Sequence, residues 1–163
     1  MRKTRLYLDT SPIIMIGPNQ DPIRRAITED FFRIVAESPG EYELFVSPVT
    51  LEELRAGIEK HGDGSILFLN SLEHTELAEN EEAEKLAVVY TYDSVLSKIR
   101  MNDLRHVAYA VVSHCDYVVT WNMRHLANDK TVGRANAVNS AENHGKIFIT
   151  TAEFFTGGKI YGK

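Results

Sequence analysis

Four short apolar segments, separated by stretches of helical periodicity, place the strongest limits on how this chain can fold. We predict strands at residues 4–9, 42–46, 116–121 and 147–149. No two of these segments are joined by a tight hairpin turn, and strands that alternate with helices favour a parallel sheet with helices on both faces. The predicted fold class is therefore α/β, a three-layer α/β/α sandwich around a central, mainly parallel sheet.

Helical periodicity fills most of the chain between the predicted strands. The predicted helices cover residues 23–37, 48–60, 65–72, 80–93, 103–114 and 131–143, with single turns at 123–128 and 152–155, while residues 95–101 fit either a loop or a helical extension. Ser47 and Pro48 are a strong helix start, and Asn102 can cap the helix that begins at Asp103. Because no linker or repeat is visible, we predict one domain over residues 1–156 and a flexible C-terminal tail at 157–163.

Acidic or amide side chains follow the apolar segments. Asp9 closes the first one, Glu53 lies one helical turn after the second, Asp103 opens an apolar helix, and Asn122 follows the third segment. In a parallel sheet, the residues just past the strand ends gather at one edge, where α/β proteins bind ligands. Three carboxylates gathered there would repel one another unless a divalent cation relieved the repulsion. The pattern therefore predicts an Mg²⁺ or Mn²⁺ site and phosphate chemistry.

Each of these residues also has a purely structural interpretation. Asp9 could cap the turn that follows it, and Glu53, like its neighbour Glu52, could be a solvated acid near a helix N-terminus. Asp103 suits the first turn of a helix, where the dipole favours negative charge. His106 lies one turn further along the same face, either as a surface histidine or as a group that touches phosphate or substrate.

Further polar side chains surround these positions in the sequence. Thr120 could hydrogen-bond a ligand or a water molecule, and Asn122 could hold a metal-bound water or a phosphate without adding charge. Among the basic residues, Arg100, Arg124 and His125 are nearest in sequence to Asp103 and Asn122, so they have the best claim to line the site. Asp116 begins the same strand at its opposite end and is expected to be structural.

The composition limits the class of protein. The chain has 163 residues, a net charge of −5 and 44% hydrophobic residues, which is typical of an ordinary globular protein. The negative charge argues against broad nonspecific binding to duplex DNA, although a local basic rim could still meet a nucleic-acid backbone. Cys115 is the only cysteine, which fits a reducing cytoplasm. No apolar run reaches 18 residues, and the basic start is followed too soon by Asp9 for a signal peptide, so we expect no membrane association.

In their order and spacing, these segments resemble the PIN-domain ribonucleases, in particular the toxin-like VapC branch. The similar segments are Leu6-Tyr7-Leu8-Asp9-Thr10-Ser11, residues 46–57, residues 102–110 and residues 116–122. The resemblance extends from residue 4 to about residue 155. It implies the same α/β/α sandwich and an acidic, metal-dependent site that cleaves RNA.

The resemblance also implies roles for individual residues. The family's first three acids fall on Asp9, Glu53 and Asp103, and its fourth acidic position falls on Asn122, where this chain has an amide. Mg²⁺ would be held by Asp9 and Asp103, with Glu53 bound directly or through water. Thr10, Thr120 and Asn122 would orient water or phosphate. From their positions in the sequence alone, we add His106 and Arg124 as residues that could orient water or substrate. Relatives of this kind pair with a small antitoxin protein and commonly form homodimers.

The sequence leaves a choice of functions. The favoured one is a metal-dependent endoribonuclease, with one or two metal ions, acting alone or as the toxin of a toxin–antitoxin pair. The alternative is a catalytically inactive PIN-fold module that binds RNA or protein, which the amide at Asn122 supports. A phosphatase of the haloacid dehalogenase type would need a second aspartate at the position of Ser11. The glycine-rich phosphate loops of nucleotide-binding proteins and the G-x-S-x-G elbow of serine hydrolases are absent.

Overall fold

One parallel sheet forms the centre of the computed structural model, which describes residues 2–158 and residue 161. Within these residues the sheet has five strands in the order β3-β2-β1-β4-β5, and every neighbouring pair is parallel. The strands are β1 (Thr4–Leu8), β2 (Tyr42–Val46), β3 (Thr75–Glu76), β4 (Tyr117–Val119) and β5 (Phe148–Thr150). The predicted α/β sandwich is therefore confirmed.

Helices cover both faces of this sheet. They are α1 (Thr10–Met15), α2 (Pro22–Glu37), α3 (Pro48–Ala56), α4 (Ile58–His61), α5 (Gly64–Ser71), α6 (Glu81–Tyr90), α7 (Met101–Val112) and α8 (Asp129–Ala141), with 3₁₀ turns at Leu96–Lys98 and Ala152–Phe155. None of the helices in the described part of the chain combines the length and apolar character needed to cross a bilayer.

Alternate residues of each strand point to opposite faces of the sheet, and so they create two cores. On one face, Tyr7 of β1 and Val118 of β4 pack with side chains of α6, α7 and α8. On the other face, Leu6 and Leu8 of β1 and Val119 of β4 pack with side chains of α1, α2 and α5. The C-terminal halves of the three central strands, β2, β1 and β4, are buried on both sides, which explains why these strands read as apolar runs.

Two elements were not predicted. β3 contains only Thr75 and Glu76, both exposed, so it lacks the apolar pattern by which strands are recognised. Helix α1 was also not predicted: the segment after Asp9 was considered only as a turn. Pro12 lies in the first turn of α1, where a backbone N–H has no partner within the helix, so the proline costs no hydrogen bond.

Several predicted boundaries also differ from the structure. The helix expected over residues 48–60 ends at Ala56 and restarts at Ile58. Residues 123–128 form turns and bends, and the N–H of Leu126 donates one helical hydrogen bond to the carbonyl of Asn122 at 3.0 Å, so the predicted helical turn is a single turn that does not continue. The expected cap at Asn102 is wrong: α7 already begins at Met101, after Arg100, which makes no capping hydrogen bond through its side chain. The predicted start at Ser47 and Pro48 is confirmed, since the Ser47 side chain accepts a hydrogen bond from the N–H of Val49.

The division into a domain at 1–156 and a flexible tail at 157–163 stays a prediction. Within the tail, Tyr161 donates a hydrogen bond from its hydroxyl to Asp30. Met1, Lys159, Ile160, Gly162 and Lys163 lie outside the described residues.

Asp93 anchors the connection between α6 and α7. Its Oδ1 accepts hydrogen bonds from the backbone N–H groups of Val95 (2.9 Å) and Leu96 (3.0 Å), and its Oδ2 pairs with the guanidinium of Arg134 in α8. The hydrogen bond from Arg134 is the main reason that the pKa of Asp93 falls to about 2, against the opposing effect of burial. This carboxylate therefore ties the segment that leads into α7 to α8.

We predict that Asp93→Ala lowers the free energy of unfolding by about 1–2 kcal/mol at neutral pH, the usual cost of removing a helix-capping acceptor. Because the pKa of Asp93 is lower in the folded protein than in the unfolded chain, its contribution is fully present only above about pH 5. The contribution should disappear as the pH falls towards 2. Urea denaturation at several pH values measures this, with Asp63→Ala as the control because Asp63 is exposed and makes no capping hydrogen bond. Equal effects of the two substitutions would contradict the prediction.

Candidate active site

Asp9 lies at the junction of β1 and α1 and is almost fully buried, with 4% of its surface exposed. Its Oδ1 accepts hydrogen bonds from the backbone N–H and the hydroxyl of Ser11, at 2.9 and 2.6 Å, and its Oδ2 accepts one from the Thr120 hydroxyl at 2.5 Å. Asp9 is thus both the cap of α1 and a buried acid. Burial raises the pKa of Asp9, against the opposing effects of the His106 charge and of these hydrogen bonds.

The hydroxyl groups around Asp9 are themselves held in place by backbone groups. The Ser11 oxygen accepts the N–H of Trp121 at 2.8 Å, and the Thr120 oxygen accepts the N–H of Asn122 at 3.0 Å. Thr120 was predicted to orient water or substrate. In the structure its hydroxyl orients the carboxylate of Asp9, so β1 and β4 fix this acid from both sides.

Glu53 reaches the same edge of the sheet from the middle of α3. Its Oε1 accepts a hydrogen bond from the Thr10 hydroxyl and another from Nε2 of His106, both at 2.6 Å. Burial acts to raise the pKa of Glu53, but the hydrogen bond and charge of His106, with smaller effects from Thr10 and Asn102, lower it to about 2. Glu53 is therefore ionised at neutral pH. Its neighbour Glu52 is exposed and lies beside Arg105 instead.

His106 lies in the interior of the protein, with 1% of its surface exposed. The alternative of a surface histidine is therefore wrong. Its Nδ1 is 2.6 Å from the Tyr7 hydroxyl, which is in turn 2.6 Å from Oγ of Ser47. Nε2 faces Glu53, so both ring nitrogens have partners inside the protein. His106 therefore contacts Tyr7 and Glu53, and not a substrate as the sequence had suggested.

Asp103 and Asn122 meet at the edge of the site. The Nδ2 amide of Asn122 donates a hydrogen bond to Oδ2 of Asp103 at 3.2 Å, and its Oδ1 accepts the backbone N–H of His125 at 3.1 Å. Burial raises the pKa of Asp103, and the negative charge of Asp9 raises it further, while the charges of His106 and Arg100 oppose this. The structure thus brings Asp9, Glu53, Asp103 and Asn122 to one edge, as the sequence predicted.

The acidic side chains of the edge do not form a preorganised set of metal ligands. Among the residues that the structure describes, no three or more His, Cys, Asp or Glu side chains are arranged to hold a metal ion. The chemistry of the donors nevertheless suits a hard divalent cation, because Asp9 and Asp103 offer carboxylate oxygens. Their raised pKa values indicate that ionising both of them is unfavourable without a compensating positive charge.

The basic residues predicted to line the site are at the surface. Arg100, Arg124 and His125 are exposed, and in the described part of the chain none of them forms an ion pair. The charge of Arg100 acts on Asp103, which places this arginine near the acids. The role of Arg124 stays a prediction.

Two features of the site were missed from the sequence. Ser11 was treated only as part of a turn, although a short polar residue just after a buried strand is a common partner for a capping acid. Tyr7 was treated only as part of an apolar strand, although a buried tyrosine hydroxyl normally needs a hydrogen-bond partner. Asp116, expected to be structural, pairs with Arg2 and accepts the N–H of Arg5 at the opposite end of β4.

We predict that Asp103→Asn increases the free energy of unfolding by roughly 1 kcal/mol at neutral pH in EDTA, as is common when a strained functional residue is replaced. The pKa of Asp103 is raised in the folded protein, so its ionised form opposes folding at neutral pH and its protonated form does not. The gain should shrink as the pH falls into the range where wild-type Asp103 is protonated. Denaturant titration of both proteins tests this, and a loss of stability at neutral pH would show that the Asp103 charge is already compensated.

We predict the opposite sign for Asn122→Asp. This change replaces an amide donor to Asp103 with a second carboxylate, so a hydrogen bond is exchanged for a like-charge contact. In EDTA at neutral pH we expect a loss of roughly 1–3 kcal/mol, which thermal or chemical denaturation would measure. The matched control is Asn70→Asp on exposed α5, which should change stability little, and equal losses in the two variants would contradict the prediction.

The sequence of this chain matches no protein-family model and no curated protein. Solved structures do match. One match is a chain in the crystal structure of VapBC2 from Rickettsia felis, which is bound to a DNA fragment from the promoter of these proteins. It is 12% identical to this chain with a TM-score of 0.61, and the alignment covers 91% of this chain and 98% of that one. A chain of VapBC-1 from nontypeable Haemophilus influenzae is 19% identical with a TM-score of 0.60 and the same coverage.

A third similar structure is VapC20 from Mycobacterium tuberculosis, described as a Sarcin-Ricin loop cleaving toxin. It is 14% identical with a TM-score of 0.56, and 72% of this chain covers 90% of it. Similarity over so much of each chain, at such low identity, is similarity of fold. The chain therefore has the PIN-like α/β/α fold of the VapC-type proteins that its motifs resemble.

Proposed function

We propose that this protein is a divalent-metal-dependent endoribonuclease that hydrolyses RNA phosphodiester bonds. The observation that carries the proposal is the meeting of Asp9, Glu53, Asp103 and Asn122, which come from four different segments, at the C-terminal edge of a parallel sheet. Ligands bind at this edge in open α/β sheets. Two of the three acids are buried at a cost that a cation would relieve.

Mg²⁺ or Mn²⁺ is the cofactor that suits this set of oxygen donors. Asp9 and Asp103 would hold it, with Glu53 binding through a water molecule because its Oε1 already accepts two hydrogen bonds. A cation bound there supplies Lewis acidity, which favours both the attacking water and the departing oxygen of a phosphodiester.

The side chains of the protein would orient the carboxylates and a water molecule. Ser11 and Thr120 keep the Asp9 carboxylate in one orientation, and Glu53 is an ionised acceptor that can orient a water molecule. Thr10 holds Glu53, so its hydroxyl serves the acid and not the substrate. The Nδ2 amide of Asn122 keeps Asp103 in place.

Positive charge at the rim would meet the RNA backbone. Arg100, Arg124 and His125 are exposed beside Asp103 and Asn122, and basic side chains at such positions contact phosphates and fix the register of a nucleic acid. A local rim of this kind compensates for the net charge of −5. We therefore assign Arg124 to substrate binding.

The solved structures of similar fold support the proposal that this protein is the toxin of a toxin–antitoxin pair. Two of them are VapBC complexes and the third is a toxin that cleaves the Sarcin-Ricin loop. By analogy we propose a small antitoxin protein as the partner of this chain and a structured RNA as its target. A homodimer and a cytoplasmic location remain predictions from the sequence.

The second candidate is a catalytically inactive PIN-fold module that binds RNA or protein. Two observations favour it: the fourth acidic position carries the amide of Asn122, and the described residues include no group of three metal-binding side chains in a metal-holding arrangement. This candidate predicts RNA or protein binding without turnover.

We predict that the purified protein cleaves RNA in Mg²⁺ or Mn²⁺ and that Asp9→Asn and Asp103→Asn each lower the rate at least about 100-fold, the scale of losing one preorganised electrostatic group. EDTA should abolish cleavage. The measurement is cleavage of a panel of structured and single-stranded RNAs, including a Sarcin-Ricin loop hairpin.

The control for these variants is Asp63→Asn, the same chemical change at an exposed position on the surface, which should cleave like the wild type. RNA binding without cleavage by a folded wild-type protein would favour the inactive module. Cleavage that survives both Asp9→Asn and Asp103→Asn would place the active site elsewhere or reveal a contaminating nuclease.

A further inference from the structure

A chain of buried hydrogen bonds lies behind the acidic edge. It runs from Ser47 through the Tyr7 hydroxyl to Nδ1 of His106, and from Nε2 of His106 to Oε1 of Glu53, and each of its three links is 2.6 Å long. Tyr7 is fully buried and His106 is 1% exposed. The two rings also meet edge to face, with 5.6 Å between their centroids.

The direction of the hydrogen bond to Glu53 is fixed by chemistry. A carboxylate only accepts hydrogen bonds, so Nε2 of His106 must carry a hydrogen. Nδ1 can either accept the Tyr7 hydroxyl or donate to its oxygen, and Ser47 can complete the pattern in both cases, since a hydroxyl both donates and accepts. Donation to Glu53 is therefore available whichever state Nδ1 adopts.

The same chain connects the three acidic positions. His106 lies one helical turn after Asp103 on α7, and Thr10, the other donor to Glu53, directly follows Asp9. The Glu53 carboxylate is therefore clamped between the two segments that carry the other acids. A shift of α7 relative to β1 would break one of these two hydrogen bonds.

Burial makes this arrangement costly unless it is complete. A histidine with 1% of its surface exposed has lost its hydration, and that loss is acceptable only because both ring nitrogens have hydrogen-bond partners. An apolar residue would fill the same space without needing Tyr7 or Ser47 as partners. The hydrogen bond to Glu53 therefore explains why a histidine occupies this buried position.

We propose that His106, supported by the Tyr7 hydroxyl, is a positioning residue that holds Glu53 in register with Asp9 and Asp103. The inference rests on the proposed metal-dependent nuclease. The role assigned to His106 therefore changes from contact with substrate, as expected from the sequence, to orientation of the Glu53 carboxylate. Outer partners that orient the side chains of a metal site typically contribute 10- to 100-fold in metal affinity or activity.

The test uses two substitutions of His106 and two of buried tyrosines. His106→Leu fills the space without a donor, whereas His106→Gln offers an amide N–H near the position of Nε2. Tyr7→Phe removes the hydroxyl behind His106. Tyr90→Phe is the matched control, because Tyr90 is also fully buried and its hydroxyl donates to Asn139 of α8 at 2.5 Å, a residue outside the acidic edge.

We expect His106→Leu to lower kcat 10- to 100-fold with little change in KM, and to weaken Mn²⁺ binding by a similar factor. His106→Gln should recover most of both. Tyr7→Phe should show a smaller loss in the same direction. Tyr90→Phe should lose stability like Tyr7→Phe but keep wild-type kcat and Mn²⁺ affinity. In a Glu53→Ala background, His106→Leu should change Mn²⁺ affinity no further, since there is no carboxylate left to position.

The possible results distinguish a failure of the role proposed for His106 from a failure of the proposed nuclease function. A folded His106→Leu variant with wild-type kcat and Mn²⁺ affinity would overturn the inference and leave the proposed nuclease intact, as would equal losses in the Leu and Gln variants. Should the wild type bind Mn²⁺ but cleave no RNA, the nuclease proposal fails and the Mn²⁺ comparison still decides the role of His106. A wild type that neither cleaves RNA nor binds Mn²⁺ overturns both.

Discussion

The position of β1 between β2 and β4 is the constraint on which the rest of the structure depends. Because both pairings are parallel, the segments that leave these three strands emerge at one edge of the sheet. Asp9, the start of α3 and residues 120–122 are thereby brought together without any long loop. The pairing also buries Leu6, Tyr7 and Leu8 of β1 on both faces of the sheet, which places Asp9, the polar residue that directly follows them, at the edge of the core.

The same arrangement places carboxylates at this edge at a cost to the stability of the folded protein. Asp9 and Asp103 are held with little water around them, and their raised pKa values reflect that cost. Glu53 differs because it is only partly buried and because the direct hydrogen bond and charge of His106 outweigh that burial, whereas the three hydrogen bonds to Asp9 do not outweigh its burial. The site therefore contains one carboxylate that the protein itself satisfies and two that it leaves in need of a positive partner. Such a division suits a site built to receive a cation and a phosphate group.

The sequence predicted the sheet and the four residues of the acidic edge because both depend on local patterns. Apolar runs reveal buried strands, and a polar residue at the end of such a run must lie at the sheet edge. The partners of the acids were harder to predict, because the contact between His106 and Tyr7 joins residues 99 positions apart. Likewise, β3 consists of two exposed residues and is held only by its pairing with β2.

The hydrogen bond from Asn122 to Asp103 has a consequence for the order in which the protein is built. A carboxylate at residue 122 would add another charge to an edge that already carries Asp9 and Asp103, and folding would then compete with their mutual repulsion. The amide supplies an attraction at that point instead. The newly made chain can thus reach its native structure without a cation at this edge, and the proposed metal ion would bind to a protein that is already folded.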